Sequence, residues 1–244
     1  MNILKHIFAR IWALWGIITF IITFLIFFLP SMAAYFFKDE IKGQIWFIGI
    51  SKIWMNIWLF LIGCSVKVSG KENFKDGQNY IVVFNHNALL DVPLSAPYVP
   101  GANKTIAKAS FVKVPLFGLF YKKGSVLVDR KDEASRRKSF DEMKKVLLTG
   151  MHICIYPEGT RNRTDQPLKS FYDGAFKLAI DTQKDIIPCI INGTKRAMPI
   201  QHSFYLLPTK LKMHFLPPVS SQHTQVKLLK EEIYNQMLDY FTKH

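Results

Sequence analysis

Apolar residues run without a charge from Ile11 to Leu29, and a second, aromatic-rich stretch runs from Ile41 to Gly63, interrupted by Lys42, Gln44, Lys52 and Asn56. The first stretch meets the length a membrane-spanning helix needs, with Lys5 and Arg10 just before it and Trp12 and Trp15 where interfacial anchors sit. The polar interruptions make the second stretch costly as a lone spanning helix and suit an interfacial or re-entrant one. Pro30 and the charges Lys38, Asp39, Glu40 and Lys42 mark the connection. Residues 1–63 are therefore expected to form a membrane-associated helical hairpin planted in one leaflet. A secretory signal peptide is the rival, with Ser31 and Ala33 as a mimic of a cleavage site; against it, the stretch is too long and more apolar sequence follows.

After Gly63 the pattern shortens to apolar runs of four to six residues alternating with helical periods and Gly/Pro turns. Tyr80–Phe84, Ser125–Val128, His152–Tyr156 and Ile186–Ile191 are predicted strands, rich in Val, Ile or aromatics. Residues 135–149 place Phe140, Met143, Val146 and Leu147 on one helical face and stop at Gly150. Residues 171–183 also read as helix, and Val226, Leu229, Ile233, Met237 and Phe241 define a closing amphipathic helix. The alternation predicts an α/β catalytic domain over residues 64–244, a twisted sheet flanked by helices. Such sheets carry their ligands at the carboxyl ends of their strands, so the chemistry is expected in the loops that follow them.

Charge narrows the partners. Of the formal +14, residues 1–63 hold five Lys/Arg against two Asp/Glu, which leaves +11 on the remainder. A basic surface suits nucleic acid, an anionic membrane or a phosphorylated substrate. The apolar N-terminus favours the membrane, and the motif region lacks the basic runs interleaved with stacking aromatics that single-strand binding uses. The three cysteines, Cys64, Cys154 and Cys189, are far apart and show no Cys or His ligand spacing, so neither a disulfide framework nor a metal site is expected.

Directly after the first of these strands stands Asn85-His86-Asn87-Ala88-Leu89-Leu90-Asp91. A positioned histidine can take the proton of an attacking alcohol, and a carboxylate can fix its tautomer and stabilise the imidazolium. A structural hydrogen bond is the plainer reading of the pair taken alone. After the strand at 152–156 stands Tyr156-Pro157-Glu158-Gly159-Thr160-Arg161. Arginine's planar fork matches phosphate oxygens, Gly159 permits close backbone approach, and Glu158 can hold a neighbouring donor; an ordinary turn with a salt bridge is the alternative. Arg130 and Lys108 can add positive charge to the same place, or simply be solvated.

Taken together and in order, these blocks resemble the glycerolipid acyltransferase family over roughly residues 80 to 195. His86 and Asp91 match its His-x4-Asp dyad, Gly124 through Arg130 its second block, Pro157-Glu158-Gly159-Thr160-Arg161 its third, and Ile187-Pro188-Cys189 with Gly193-Thr194 its fourth. Ala107-Lys108 and the spacing of Phe111, Lys113, Pro115 and Gly118 are also similar. The resemblance implies an α/β sheet beside an N-terminal helical membrane motif. It implies a general base at His86 oriented by Asp91, acceptor phosphate on Arg130, and an acyl-donor side near the fourth block. Asn87 and Ala88 depart from the usual Gln or Arg followed by Ser, Tyr156 and Leu127 each replace a common Phe, and Asn162 stands where Ser is frequent.

Members that acylate glycerol 3-phosphate tend to carry His-Arg-Ser and Glu-Gly-Gly-Arg-Ser, and this chain has neither. The resemblance therefore implies transfer of a fatty acyl group to the sn-2 hydroxyl of a lysophospholipid acceptor, lysophosphatidic acid, giving phosphatidic acid at the cytoplasmic face of the inner membrane. It implies an acyl thioester donor, acyl-CoA or acyl-ACP as co-substrate, with acyl carrier protein as partner in the second case, an anionic membrane as surface, no nucleic acid and no further cofactor. Another lysolipid acceptor, or a noncatalytic basic membrane- or nucleic-acid-binding protein, are the alternatives.

Overall fold

The computed structural model describes residues 3–243. Two long helices open the chain, α1 (Ile3–Met32) and α2 (Glu40–Leu61), and both are long and apolar enough to cross a membrane. Pro30 does not end α1. It sits near the last turn, where its missing N–H forfeits one helical bond, and the turn comes at residues 33–39. There Asp39 caps α2 by accepting from the Ile41 and Lys42 N–H groups.

The rest is a seven-stranded sheet: β1 (Val66–Ser69), β2 (Ile81–Phe84), β3 (Asn103–Lys108), β4 (Ser125–Val128), β5 (His152–Ile155), β6 (Ile186–Asn192) and β7 (Leu211–Phe215). The spatial order is β1-β7-β6-β2-β5-β3-β4. β2 to β6 are mutually parallel, and β7, antiparallel to β6, pairs in parallel with β1. The helices are α3 (Asp91–Ser95), α4 (Phe117–Gly124), α5 (Glu133–Leu148), α6 (Gly174–Thr182), α7 (Thr194–Ala197) and α8 (Val226–Lys243). All four strands read from the sequence are present. β1, β3 and β7 escaped because they lack an apolar run: β3 turns Asn103, Thr105 and Ala107 inward, and β1 and β7 alternate with Lys or His.

Strand alternation divides the core in two. Ile81, Val83, Ile153 and Ile190 join buried residues of α5, α6 and α8 on one face. Val82, Phe84, Cys154, Ile187 and Ile191 join Trp54, Met55, Trp58 and Leu59 of α2 on the other. The N-terminal pair therefore shares a core with the sheet. A polar tie fixes it there, buried Gln44 donating to the Asn103 carbonyl of β3 at 2.7 Å, while Trp58 Nε1 holds α2 to α1 by donating to the Gly16 carbonyl at 3.0 Å. The outward side of α1 remains apolar, with Ile11, Leu14, Ile18, Ile22, Leu25 and Leu29 exposed.

Candidate active site

Because β2 to β5 run parallel, the loops after them meet at one edge of the sheet. His86 follows β2, Lys108 ends β3, Arg130 follows β4, and residues 156–161 follow β5. The order puts β2 between β6 and β5, the place where chain connections diverge and a crevice opens.

His86 Nδ1 lies 2.8 Å from Asp91 Oδ2, and the carboxyl group is wholly buried. The same oxygen accepts the backbone N–H groups of Asn87 at 2.6 Å and Ala88 at 2.7 Å. An oxygen that accepts from two backbone donors also takes its third hydrogen bond as acceptor, so Nδ1 is the donor and, in the neutral imidazole, Nε2 carries the lone pair. Use of backbone N–H groups also explains how Asn87 and Ala88 are accommodated: the side chains at these positions take no part in holding the aspartate.

The loop bearing His86 is pinned on both sides. Asn85 clamps Ile191 of β6, donating to its carbonyl at 2.9 Å and accepting its N–H at 2.7 Å. On the β5 side, buried Glu158 accepts the His86 N–H through Oε1 at 2.8 Å and the Lys169 N–H through Oε2 at 3.1 Å, while the Asn162 N–H donates to the His86 carbonyl at 2.6 Å. Burial pushes the Glu158 carboxyl above its ordinary value, and the two backbone donors work against that rise. Tyr156 packs on the imidazole with ring centroids 4.5 Å apart and donates its hydroxyl to Ser95 Oγ at 2.7 Å. Burial, and next the Asp91 charge, push the Tyr156 phenol well above its usual range, so it stays neutral.

His86 lines a cavity of about 810 Å³. Lys108, Arg130, Arg161, Arg163 and Lys169 line it too, and among the described residues no carboxylate does. Among the described residues none of these five is in a salt bridge, so their charge is free for an anion. Lys169 Nζ donates to Thr160 Oγ1 at 2.8 Å, which orders this rim. Its apolar wall comes from Phe20 of α1, Phe47 and Trp54 of α2, and Phe117 and Phe120 of α4, which pack on one another as an aromatic cluster. A cavity that combines unpaired cations, an imidazole and an aromatic wall suits a lipid with a charged headgroup.

Comparison with known proteins agrees with this geometry. A family model described as Acyltransferase matches residues 65–192, just over half of the chain. The chain belongs to the acyltransferase family. Among curated relatives, 1-acyl-sn-glycerol-3-phosphate acyltransferase alpha of Mus musculus is 30% identical over 187 residues, covering 75% of this chain and 65% of that protein. 1-acyl-sn-glycerol-3-phosphate acyltransferase of Borreliella burgdorferi is 32% identical over 146 residues, covering 57% of this chain and 56% of that protein. The chain thus spans just under two thirds of the length of the mammalian relatives it matches. The crystal structure of the 1-acyl-sn-glycerophosphate acyltransferase PlsC of Thermotoga maritima has the same fold, with a TM-score of 0.80 at 21% identity, covering 100% of this chain and 97% of that one.

In this acyltransferase His86, Lys108, Arg130, Gly159, Thr160 and Arg161 all line the cavity, and Asp91 lies directly behind His86. Glu158 is set apart from them: both its oxygens are engaged below the surface, so it positions the His86 loop and does not face the cavity. Gly159 adopts φ +70°, and a Cβ there would meet the Tyr172 ring at 2.6 Å, so the turn needs glycine for two reasons. Sequence reasoning missed Arg163 and Lys169, whose only signal was their closeness to the motif along the chain. It also missed the contribution of α1 and α2 to the cavity wall, because apolar residues in a membrane-like helix look alike whether they face lipid or a substrate.

Proposed function

We propose that this acyltransferase moves a fatty acyl group from acyl-CoA or acyl-ACP to the sn-2 hydroxyl of lysophosphatidic acid, giving phosphatidic acid, at the cytoplasmic face of the inner membrane. The observation that carries the reading is the His86–Asp91 contact beside a cavity lined by five cations and by aromatic side chains of α1, α2 and α4. His86 Nε2 takes the proton as the acceptor oxygen attacks the thioester carbonyl. Collapse of the tetrahedral intermediate breaks the C–S bond, and the imidazolium returns the proton to the departing thiolate. Asp91 stabilises the charged imidazole in between, and no protein nucleophile is needed.

Arg130, Arg161 and Lys108 hold the acceptor phosphate, with Thr160 at the same rim, and burying that dianion among five cations places the glycerol hydroxyl next to the histidine. The names and similarity of the relatives support the same acceptor. The basic surface would hold the protein against anionic lipid. The test is an acyl-transfer assay with two thioester donors and a panel of lysolipids, run beside His86→Ala. Transfer to lysophosphatidic acid above the other lysolipids, abolished in the variant, is expected. Preference for an acceptor without a phosphate monoester would establish a different lysolipid as substrate, and wild-type turnover by His86→Ala would overturn the mechanism.

A further inference from the structure

Between β3 and β4 the chain makes a tight excursion over residues 109–124, ending in α4. Its inner side chains, Phe117 and Phe120, meet Phe24 of α1 at ring separations of 5.7 and 5.9 Å, and Phe120 also meets Phe47 and Trp54 of α2. Its outer side chains are apolar and bare. Val114 is 45%, Leu116 46% and Leu119 55% exposed, and none of the three lines the cavity.

The exposure is built in. Leu116 is held at φ +58°, a conformation costly for a side chain of its size, and Gly118 approaches the Val112 carbonyl so closely that an added Cβ would lie 2.0 Å from it. The segment carries Lys113, Lys122 and Lys123 and no acidic residue. Lys123 sits over the Tyr35 ring at 4.8 Å, tying the segment to the connection between α1 and α2. Just beyond Phe24, which the segment covers, Leu25, Ile26 and Leu29 of α1 are exposed. The segment that bears the bare leucines and valine is thus packed on the apolar pair α1 and α2, and its lysines add the positive charge that anionic headgroups attract.

We propose that residues 109–124 are a third membrane-inserting element, a rigid lip beside the cavity mouth that dips its valine and leucine side chains into the same leaflet as α1 and lets lipid enter the cavity from the bilayer. Such a lip would spare a single-chain lipid the cost of crossing water on its way to His86. The inference rests on the membrane reading of α1 and α2 and is independent of which lysolipid is the acceptor.

Depth measurements on the full chain test it. The three native cysteines are buried, so an environment-sensitive fluorophore can be attached singly to Leu116→Cys, Leu119→Cys, Leu25→Cys on α1, or Leu228→Cys on α8. In vesicles of phosphatidylglycerol and phosphatidylethanolamine with tail-brominated lipid, labels at 116 and 119 should lose as much fluorescence as the label at 25 and be protected from iodide. Labels at 116 and 119 that respond to iodide like the label at 228, while the label at 25 stays protected, would overturn the lip. A label at 25 open to iodide would overturn it together with the membrane reading, whereas the acyl-transfer assay tests the acceptor separately. As a second arm, Val114→Glu with Leu119→Glu should raise KM for vesicle-embedded acceptor roughly tenfold, with turnover on a monodisperse short-chain acceptor unchanged. Equal KM in both presentations would sink the entry route.

Discussion

The two faces of the sheet are covered by helices of opposite character. α5, α6 and α8 bury one stripe each and turn Lys, Glu and Asp outward, as helices facing water do. α1 buries mainly small residues, α2 buries aromatic and aliphatic ones such as Trp54, Met55 and Leu59, and the pair leaves Ile, Leu and Trp outside. The cavity beside His86 opens on the second side, with aromatic side chains of the helical pair as part of its wall. The water-facing side is thus support, and on the apolar side the same residues serve both the core and the cavity wall.

The largest effect expected is at the dyad, on the apolar side. His86→Ala should lower turnover by on the order of 10²–10⁴-fold while the thermal midpoint stays near wild type, measured by acyl-transfer kinetics beside a melting curve. Next, Trp54→Ala and Ile233→Ala should each cost about 2–5 kcal/mol in denaturant unfolding. Only Trp54→Ala, which opens the cavity wall, should also reduce activity per folded molecule; equal activity losses would erase the contrast between the faces. Arg130→Gln should raise KM for a phosphate-bearing acceptor about 10–100-fold, as expected for a charge-assisted bond worth about 1.5–3 kcal/mol, with kcat little changed.

A smaller effect involves pH. His152 lies buried against Phe74 and Tyr80, and burial lowers its imidazole to about 4. The unfolded chain binds this proton first, so the stability His152 contributes is complete above about pH 6.5 and lost as pH falls through about 4. Roughly 1–3 kcal/mol of acid sensitivity should disappear in His152→Asn, read from unfolding at pH 7 and pH 4.5. Smallest of all, Leu29→Ala on the outward side of α1 should change stability in detergent by less than about 0.5 kcal/mol, because that residue is 74% exposed and has little protein contact to lose.

Much of the dyad was legible in the chain itself. His86 and Asp91 are five residues apart, and a reversal of the backbone suffices to join them, so residue type and spacing carried the inference. The amphipathic helices were equally legible, since α5 and α8 write their buried stripe at helical period. Strands without an apolar run were not, because β3 earns its place through neighbours on both sides and not through its own residues.

The sequence alone determined the His86–Asp91 pair and the long helices, because both are written by residues near one another along the chain. Tertiary structure decided what those groups do together. Strand order brought Lys108, Arg130 and Arg161 to one rim, buried Glu158 beneath the His86 loop instead of on the rim, and made α1 and α2 a wall of the cavity. The physical reason is that register and burial depend on partners distant along the chain, such as the 106 residues separating Asn85 from Ile191, and no local pattern encodes that pairing.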